Sequence, residues 1–379
     1  MSVSNIPEKV KVRLWGKAGG RCQYEGCNKP LWEDSLTKAE FNISYIAHII
    51  ADKPDGPRGD VFLSGQLNSD ISNLMLMCDE HHRLIDREDV AGHPTERLQS
   101  MKASHETRVE LLTSIQEEKR SHILLYGANI GEHASPVSWQ KAVEAMVPNR
   151  FPADSRGIEL GLRNSSYYDD EDSYWELEHE HLKRQFERSV KSLLATGKAS
   201  HLSVFALAPQ PLLIQLGSLL SDIPAADVFQ LHREPPTWHW QESPKLFEYN
   251  IQQSGNSSGV VALNISLSAS IDNARIESVL GESVAIWTLT IGEPHNDFMK
   301  GKEQLQHFRE TLRKLLGEIK KQHGQDTILH VFPAMPVSAA VEAGRVWMPK
   351  ADMPLCIYDQ NANRGGFVKA FSIGGKKEH

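Results

Sequence analysis

Cysteine is scarce in this chain. Four occur in 379 residues, three of them between positions 22 and 78. That count excludes a disulfide-stapled secreted scaffold. The fourth, Cys356, sits in Pro354-Leu-Cys-Ile-Tyr358 and reads as a small apolar residue of a buried strand. No apolar run reaches the length of a bilayer span, and the opening Met-Ser-Val-Ser-Asn-Ile-Pro-Glu-Lys has no apolar signal region. The expectation is a cytoplasmic protein with no membrane partner. Positive charge is also in short supply: 41 Lys and Arg face 49 Asp and Glu, a net charge of −8. This speaks against strong, constitutive nucleic-acid binding, which usually needs a basic footprint. G-x-G-x-x-G and Walker A loops are missing, which speaks against an ordinary dinucleotide cofactor or a nucleoside triphosphate. At 40% hydrophobic and 24% charged the composition is globular, and the length suffices for two or three domains.

The three early cysteines fall in two knuckles. Cys22-Gln-Tyr-Glu-Gly-Cys27 is a C-x4-C pair, and Cys78-Asp-Glu-His81 a C-x2-H pair. Two such pairs far apart in sequence fit one tetrahedral zinc ion that pins two loops together. Between them lies Tyr45-Ile-Ala-His48-Ile-Ile, a strand-like apolar run broken by one histidine. Asn73-Leu-Met-Leu-Met-Cys78 leads into the second knuckle, and His82-Arg-Leu-Ile-Asp86 follows it. The segment from Glu8 to Arg21 is locally basic and reads either as a phosphate-facing surface or as a solvated helix face.

This order of His, Asn and His around two zinc knuckles resembles the HNH endonuclease family. The resemblance implies a zinc-stapled ββα-metal domain over residues 1–120 that hydrolyses phosphodiesters. It implies structural zinc on Cys22, Cys27, Cys78 and His81, with His81 and His82 able to exchange roles. His48 is then the general base, since an imidazole takes a proton near neutral pH. Asn73 orients His48 or bridges the strands through its amide. His82 and Asp86, four apart on a helix, share a face and would hold a catalytic divalent cation, magnesium or another. The alternative for Asp86 is a surface acid paired with Arg83 or Arg87. Ala47 departs from the pattern, because many relatives carry a metal-binding Asp there. Arg58, in Pro57-Arg-Gly59, reads as a phosphate ligand or as part of a tight turn.

Beyond residue 120 the pattern alternates strands and helices. His122–Gly127 is a buried strand followed by the loop to Gly131. Ser135 and Pro136 read as the cap and first turn of a helix to Met146. A long helix follows, from about Ser173 to Leu194, and then Ser203–Ala208 runs through Pro209-Gln210-Pro211 into a helix and on to a strand from Asp227. The second half repeats this grammar. Strand Ala285–Ile291 leads through the loop Gly292–Asn296 into a long helix ending near Gln322. Strand Ile328–Phe332 leads through Pro333–Pro336 into another helix, and a last strand holds Cys356. The expectation is an α/β, multi-domain chain whose C-terminal part is a pair of Rossmann-like halves, about 121–245 and 246–379. Ligands of such sheets bind beyond the carboxyl ends of the strands.

Val204–Gly217, Phe229–Arg233, Trp238-His-Trp240, Val331–Pro336 and Val341–Arg345 resemble the SAVED domain. That resemblance implies two fused CARF-like units that sense cyclic oligonucleotides in bacterial antiphage (CBASS) signalling. Ligand-binding candidates are Tyr126, Trp238 and Trp240 for base stacking and Arg233 and Arg345 for phosphate. Pro209, Gln210, Pro211, His295, Asn296, Met335 and Pro336 join them from the loops. Core packing is the alternative for each aromatic. Together the two resemblances imply a cyclic-dinucleotide-activated HNH nuclease that degrades double-stranded DNA and assembles into a homo-oligomer on binding its activator. The rival readings are a restriction-type HNH nuclease whose C-terminal half recognises DNA, and a non-catalytic zinc-containing DNA-binding sensor.

Overall fold

The computed structural model describes residues 6–34, 36–130, 137–161, 167–169, 171, 173–241, 247–254, 259–361 and 363–374. The chain divides into two compact units, Met1–Gln116 and Glu117–His379.

In the first unit α1 (Glu8–Ala18) starts at Pro7, whose fixed φ suits a helix entry. It ends at Gly19, which takes φ 58° and donates its N–H back to Gly16. Only glycine takes that left-handed turn without strain. Strand β1 (Tyr45–His48) pairs antiparallel with β2 (Leu74–Met77), His48 opposite Leu74. Between them lies α2 (Leu63–Leu67). After β2, α3 (Asp79–Arg83) continues as a wider π turn, Leu84–Glu88. Then α4 (Thr95–Thr113) packs against α1. It stops at Thr113, and Glu117–Lys119 form a separate 3-10 turn. The apolar core is small: Leu14, Leu74, Met75, Leu76, Met77, Ile85 and Leu98 are its fully buried centre, with Cys22 among them.

The second unit runs through β3 (Arg120–Gly127), α5 (Trp139–Met146), β4 (Phe151–Pro152), β5 (Ile158–Leu160), α6 (Tyr174–Phe186), α7 (Ser192–Ala195), β6 (Leu202–Leu207), α8 (Gln210–Leu220) and β7 (Ala226–Val228). It continues through β8 (Asn250–Ser254), β9 (Val261–Ser266), α9 (Asn273–Leu280), β10 (Ala285–Thr290), α10 (Lys302–His323), β11 (Leu329–Ala334), α11 (Val337–Val346), β12 (Leu355–Asn361) and β13 (Gly366–Ile373). Ser138, not Ser135, caps α5; Ser135 and Pro136 lie outside the described residues.

Two sheets result. In one, β5 and β4 flank β3, followed by β6 and β7, all parallel. In the other, β10-β9-β11-β12 is parallel, with antiparallel β8 and β13 at the edges. The halves therefore correspond as β3, β5, β6, β7 to β9, β10, β11, β12. The sequence pattern aligned the first strand of each half differently, matching β3 with β10. It passed over β9 and α9 because Val-Ala-Leu-Asn-Ile-Ser carries two polar residues. Asn264 and Ser266 are nonetheless buried, bonded to one another and to the loop at Ile271.

Helices α8 and α11 pack face to face at matching glycines. A Cβ on Gly217 would lie 1.9 Å from the carbonyl oxygen of Val341, and one on Gly344 1.9 Å from that of Ile214. Each glycine stands eight residues after the proline that starts its helix, so the close contact is symmetric. Gly217→Val is expected to destabilise the C-terminal unit by about 3 kcal/mol, the upper end of overpacking costs, since the obstacle is backbone. Gly317→Ala in α10, where a Cβ meets nothing within 4 Å, should be stabilising by up to about 1 kcal/mol. Urea unfolding of the two variants checks both values, and equal midpoints would remove the close-contact explanation.

Candidate functional site

The ligand atoms of Cys22, Cys27, Cys78 and His81 all lie within 4.8 Å of one another. His81 Nδ1 stands 3.1 Å from the Cys78 sulfur and 3.8 Å from that of Cys22. Zinc–sulfur bonds of about 2.3 Å in a tetrahedron place neighbouring ligands roughly 3.7 Å apart, so the four atoms fit a zinc ion. Local folding brings them there. Cys22 N–H donates to Lys29, closing the first knuckle, and Gln23 is tied to Leu76 by N–H and side-chain bonds in both directions. Cys78 caps α3, which carries His81 one turn on. The Tyr24 ring stacks on His81, centroids 4.1 Å apart. The hydrogen bond from Cys22 lowers the Cys78 thiol to about 5, while Cys22 itself is pushed up by the same bond and by burial. Thiolate is thus favoured on the group that a cation would need.

His48 closes β1 and is 7% exposed. Its Nε2 lies 2.9 Å from the carbonyl oxygen of Asn68. A carbonyl only accepts, so Nε2 carries the proton and the Nδ1 lone pair is left without a partner among the described residues. Asn68 went unnoticed in the sequence because a main-chain carbonyl leaves no residue signature. Asn73 does not reach His48. Its amide brackets Ile50 instead, accepting from the N–H at 2.8 Å and donating to the carbonyl at 2.8 Å, with a further bond to Leu67. It joins the backbone just beyond β1 to the entry of β2, which is the bridging role.

Arg58 is not a free phosphate ligand. Its guanidinium donates to the carbonyls of Ile49 (2.7 Å) and Ile85 (2.6 Å) and to Asp86 (2.7 Å). Asp86 pairs with Arg58 and lies 3.4 Å from His82; Arg83 pairs with Asp79. The His82 ring also stacks on Tyr45, centroids 5.1 Å apart. Burial lowers the His82 pKa despite nearby Asp86, favouring the neutral ring. His82 thus offers one candidate nitrogen, while Asp86 is committed to Arg58 and Ala47 offers no ligand atom, and among the described residues no set of three ligand atoms gathers there. The basic segment splits similarly: Lys17 pairs with Glu106, and Arg21 bonds Asn28 and lies over Trp32.

In the second unit a cavity of about 630 Å³ opens at the carboxyl ends of the parallel strands of both halves. It is lined by the loops after β6, β7, β9 and β11 and by the ends of β12 and β13. The N-termini of α8 and α11 both reach it, through Pro209 and Pro336, and neither helix has a side-chain cap. Pro209, Gln210, Arg233, Asn296, Met335 and Pro336 line it as expected. Gln210 Oε1 accepts from Met335 N–H at 3.1 Å, and Gln230 accepts from Ser338, so two glutamines of the first half hold the entry of α11 in the second. The Arg233 side chain is exposed and has no partner among the described residues. Arg275, on the helix the sequence pattern missed, supplies a second cation; it lies 4.8 Å over the Phe367 ring and bonds Gln360. Asp359 also lines the cavity, its carboxyl pushed up to about 7 by burial and by Asp169.

Six expected pocket residues lie elsewhere. Tyr126 is fully buried in the core, and Pro211 is buried in the first turn of α8. Arg345 is 3% exposed, paired with Glu342 and bonded to the carbonyls of Ser221 and Pro224. His295 turns Nδ1 to the carbonyl of Glu293, and Trp240 lines a different cavity beside Arg150 and Lys302. Trp238 packs in the core against Phe205. No helix among the described residues is long and apolar enough to cross a membrane.

Comparison with curated proteins returns no match. Among solved structures, three of the Acinetobacter baumannii Cap4 SAVED/CARF-domain containing receptor are similar. The receptor by itself shares 11% identity over 74% of this chain and 59% of that one, with a TM-score of 0.43. With the cyclic trinucleotide 2′3′3′-cAAA the values are 12%, 74%, 60% and 0.46, and with 3′3′3′-cAAA 13%, 78%, 66% and 0.42. This chain thus spans three-fifths to two-thirds of that receptor's length. A family model described as "SMODS-associated and fused to various effectors sensor domain" matches residues 182–373, which hold most of the pocket loops. That span is half of the chain, and the chain belongs to the SAVED family.

Proposed function

We propose that this protein is an endonuclease switched on by a cyclic oligonucleotide, with the sensor in the C-terminal unit and an HNH-type centre in the N-terminal one. The observation that carries the sensor reading is the single cavity shared by two proline-started helix N-termini and by Arg233 and Arg275. Helix N-termini and guanidinium groups both favour phosphate. A two-fold-related pair of such entries suits a ligand with two phosphodiesters. The effector reading rests on the ββα order, the Cys3His cluster and the His48 Nδ1 and His82 ring nitrogens, which make no hydrogen bond among the described residues.

In this reading His48 Nδ1 takes the proton of the attacking water, while the Asn68 carbonyl holds the ring in the required tautomer. His82 would hold a divalent cation, which would supply charge to stabilise the scissile phosphate and the leaving 3′ oxygen. Tyr45 keeps the His82 ring in place. Zinc at the Cys3His cluster has no chemical role; it fixes the first knuckle loop to the start of α3.

Incubating plasmid DNA with the full chain, magnesium and a panel of cyclic di- and trinucleotides tests the reading. One member of the panel is expected to raise cleavage at least about 10-fold and to enlarge the particle seen by light scattering. A ligand shifts assembly only through its higher affinity for the assembled state, so the two responses must appear together. Cleavage that ignores every cyclic nucleotide but follows DNA methylation or sequence would instead favour a restriction-type nuclease. Ligand-dependent assembly without cleavage would favour a non-catalytic sensor.

A further inference from the structure

The sensor cavity is two-fold in its backbone and one-sided in its chemistry. Val228 stands opposite Val204 in the first half as Ile357 stands opposite Val331 in the second. Gln230 follows Val228 by the same step as Asp359 follows Ile357, so the two occupy equivalent places, and both line the cavity. Gln230 is spent on structure. Its Oε1 accepts from the Ser338 N–H at 3.1 Å and from the Ser338 hydroxyl at 2.8 Å, and its Nε2 donates to the Leu231 carbonyl at 2.7 Å. Ser338 comes two residues after Pro336, and the residue two after Pro209 is Pro211. Proline has no N–H and no hydroxyl, so Asp359 lacks the donor that its counterpart holds.

No side chain among the described residues bonds the Asp359 carboxyl. The N–H of Gln360 favours its charge, and Asp169 opposes it. Arg275 is committed to the Gln360 side chain and to the face of Phe367. A carboxylate on the wall of a phosphate-binding cavity repels its ligand unless the ligand supplies donors, because a carboxylate only accepts. Guanine alone among the four RNA bases presents two adjacent donors on its Watson–Crick edge, N1–H and the N2 amino group. They match the two oxygens of one carboxylate, as the arginine fork does. Adenine, cytosine and uracil place an acceptor at one of the two positions. We propose that Asp359 reads the Watson–Crick edge of a guanine in the activator, while Gln230, its equivalent in the other half, selects no base. The proposal rests on the sensor reading above and adds the base that the cavity prefers.

Titration calorimetry of the full chain with cyclic di-GMP, cyclic GMP–AMP, cyclic di-AMP and the cyclic trinucleotide of adenosine tests this. A guanine-bearing member should bind about 10- to 100-fold more tightly than the all-adenine ones, the usual discrimination of a two-bond base contact. Asp359→Asn replaces one acceptor by a donor, so it should lose that preference and bind the adenine ligands at least as well as the wild type does. Its unfolding midpoint should not fall, since the change removes a like charge beside Asp169. Gln230→Ala should weaken every ligand alike, because it frees the entry of α11 and touches no base. Affinity should also depend on pH. Burial and Asp169 push the Asp359 carboxyl up to about 7, and guanine needs the ionised form. Affinity of the wild type for the guanine ligand should therefore rise between about pH 6 and pH 8, and that of Asp359→Asn should stay level. The other groups around Asp359 do not imitate this rise: Arg233 and Arg275 keep their charge, burial holds the Tyr174 phenol far above neutrality, and burial lowers the pKa of His232. Tighter binding of an all-adenine ligand by the wild type, or an unchanged guanine preference in Asp359→Asn, would overturn the proposal and leave the sensor reading standing. A panel of which no member binds would defeat both.

Discussion

Cys22→Ala is expected to unfold the N-terminal unit while the C-terminal unit keeps its fold. Cys22 is fully buried at the centre of a core of about fifteen apolar residues, with no other large cluster among the described residues of that unit. A domain this small has little apolar burial with which to offset its chain entropy. Structural zinc contributes on the order of 10 kcal/mol of apparent binding free energy, comparable to the whole stability of a typical domain. The C-terminal unit has its own large core and does not share these residues. Elemental analysis should find one zinc per wild-type chain and none in Cys22→Ala. Limited proteolysis should then degrade residues before 117 and spare those after. A folded, zinc-free N-terminal unit would remove the metal from the account.

His48→Ala is the second large effect, on activity alone. General-base removal costs about 10²- to 10⁴-fold in rate, so cleavage by the variant should fall by at least about 100-fold. The fold, zinc content and cyclic-nucleotide binding should be retained. The ring of His48 makes one hydrogen bond, to the Asn68 carbonyl, and its removal opens a small gap at the edge of the β1–β2 ladder rather than in the zinc cluster. Asn73→Ala should behave in the opposite way. Its amide makes three bonds to Ile50 and Leu67 and none to His48, so its loss should lower stability, with activity following only as the fold loosens. Wild-type cutting by a folded His48→Ala protein would exclude the imidazole as the base.

The two knuckles, the strand with His48 and the helix with His82 were readable because each is a local signal: ligand spacing within a knuckle, an apolar run of strand length, a capped turn. The prolines before α8 and α11 were readable for the same reason, since a fixed φ at a strand-to-helix junction marks itself in one dimension. Those features by themselves determined the alternation of strands and helices in the C-terminal unit and the gathering of Cys22, Cys27, Cys78 and His81. Only the tertiary structure decided the rest. Whether Arg58 meets phosphate or carbonyl, and whether Asp86 meets a cation or Arg58, depends on segments up to 28 residues apart brought together by packing. Arg233 and Arg345 have the same side chain. One ends exposed at a strand's carboxyl end and the other buried in a helix, because burial is set by what packs on top and not by residue type. The second half's first strand was hidden for a related reason: Asn264 and Ser266 look like loop residues until their hydrogen-bond partners, supplied by the fold, make a buried polar strand stable.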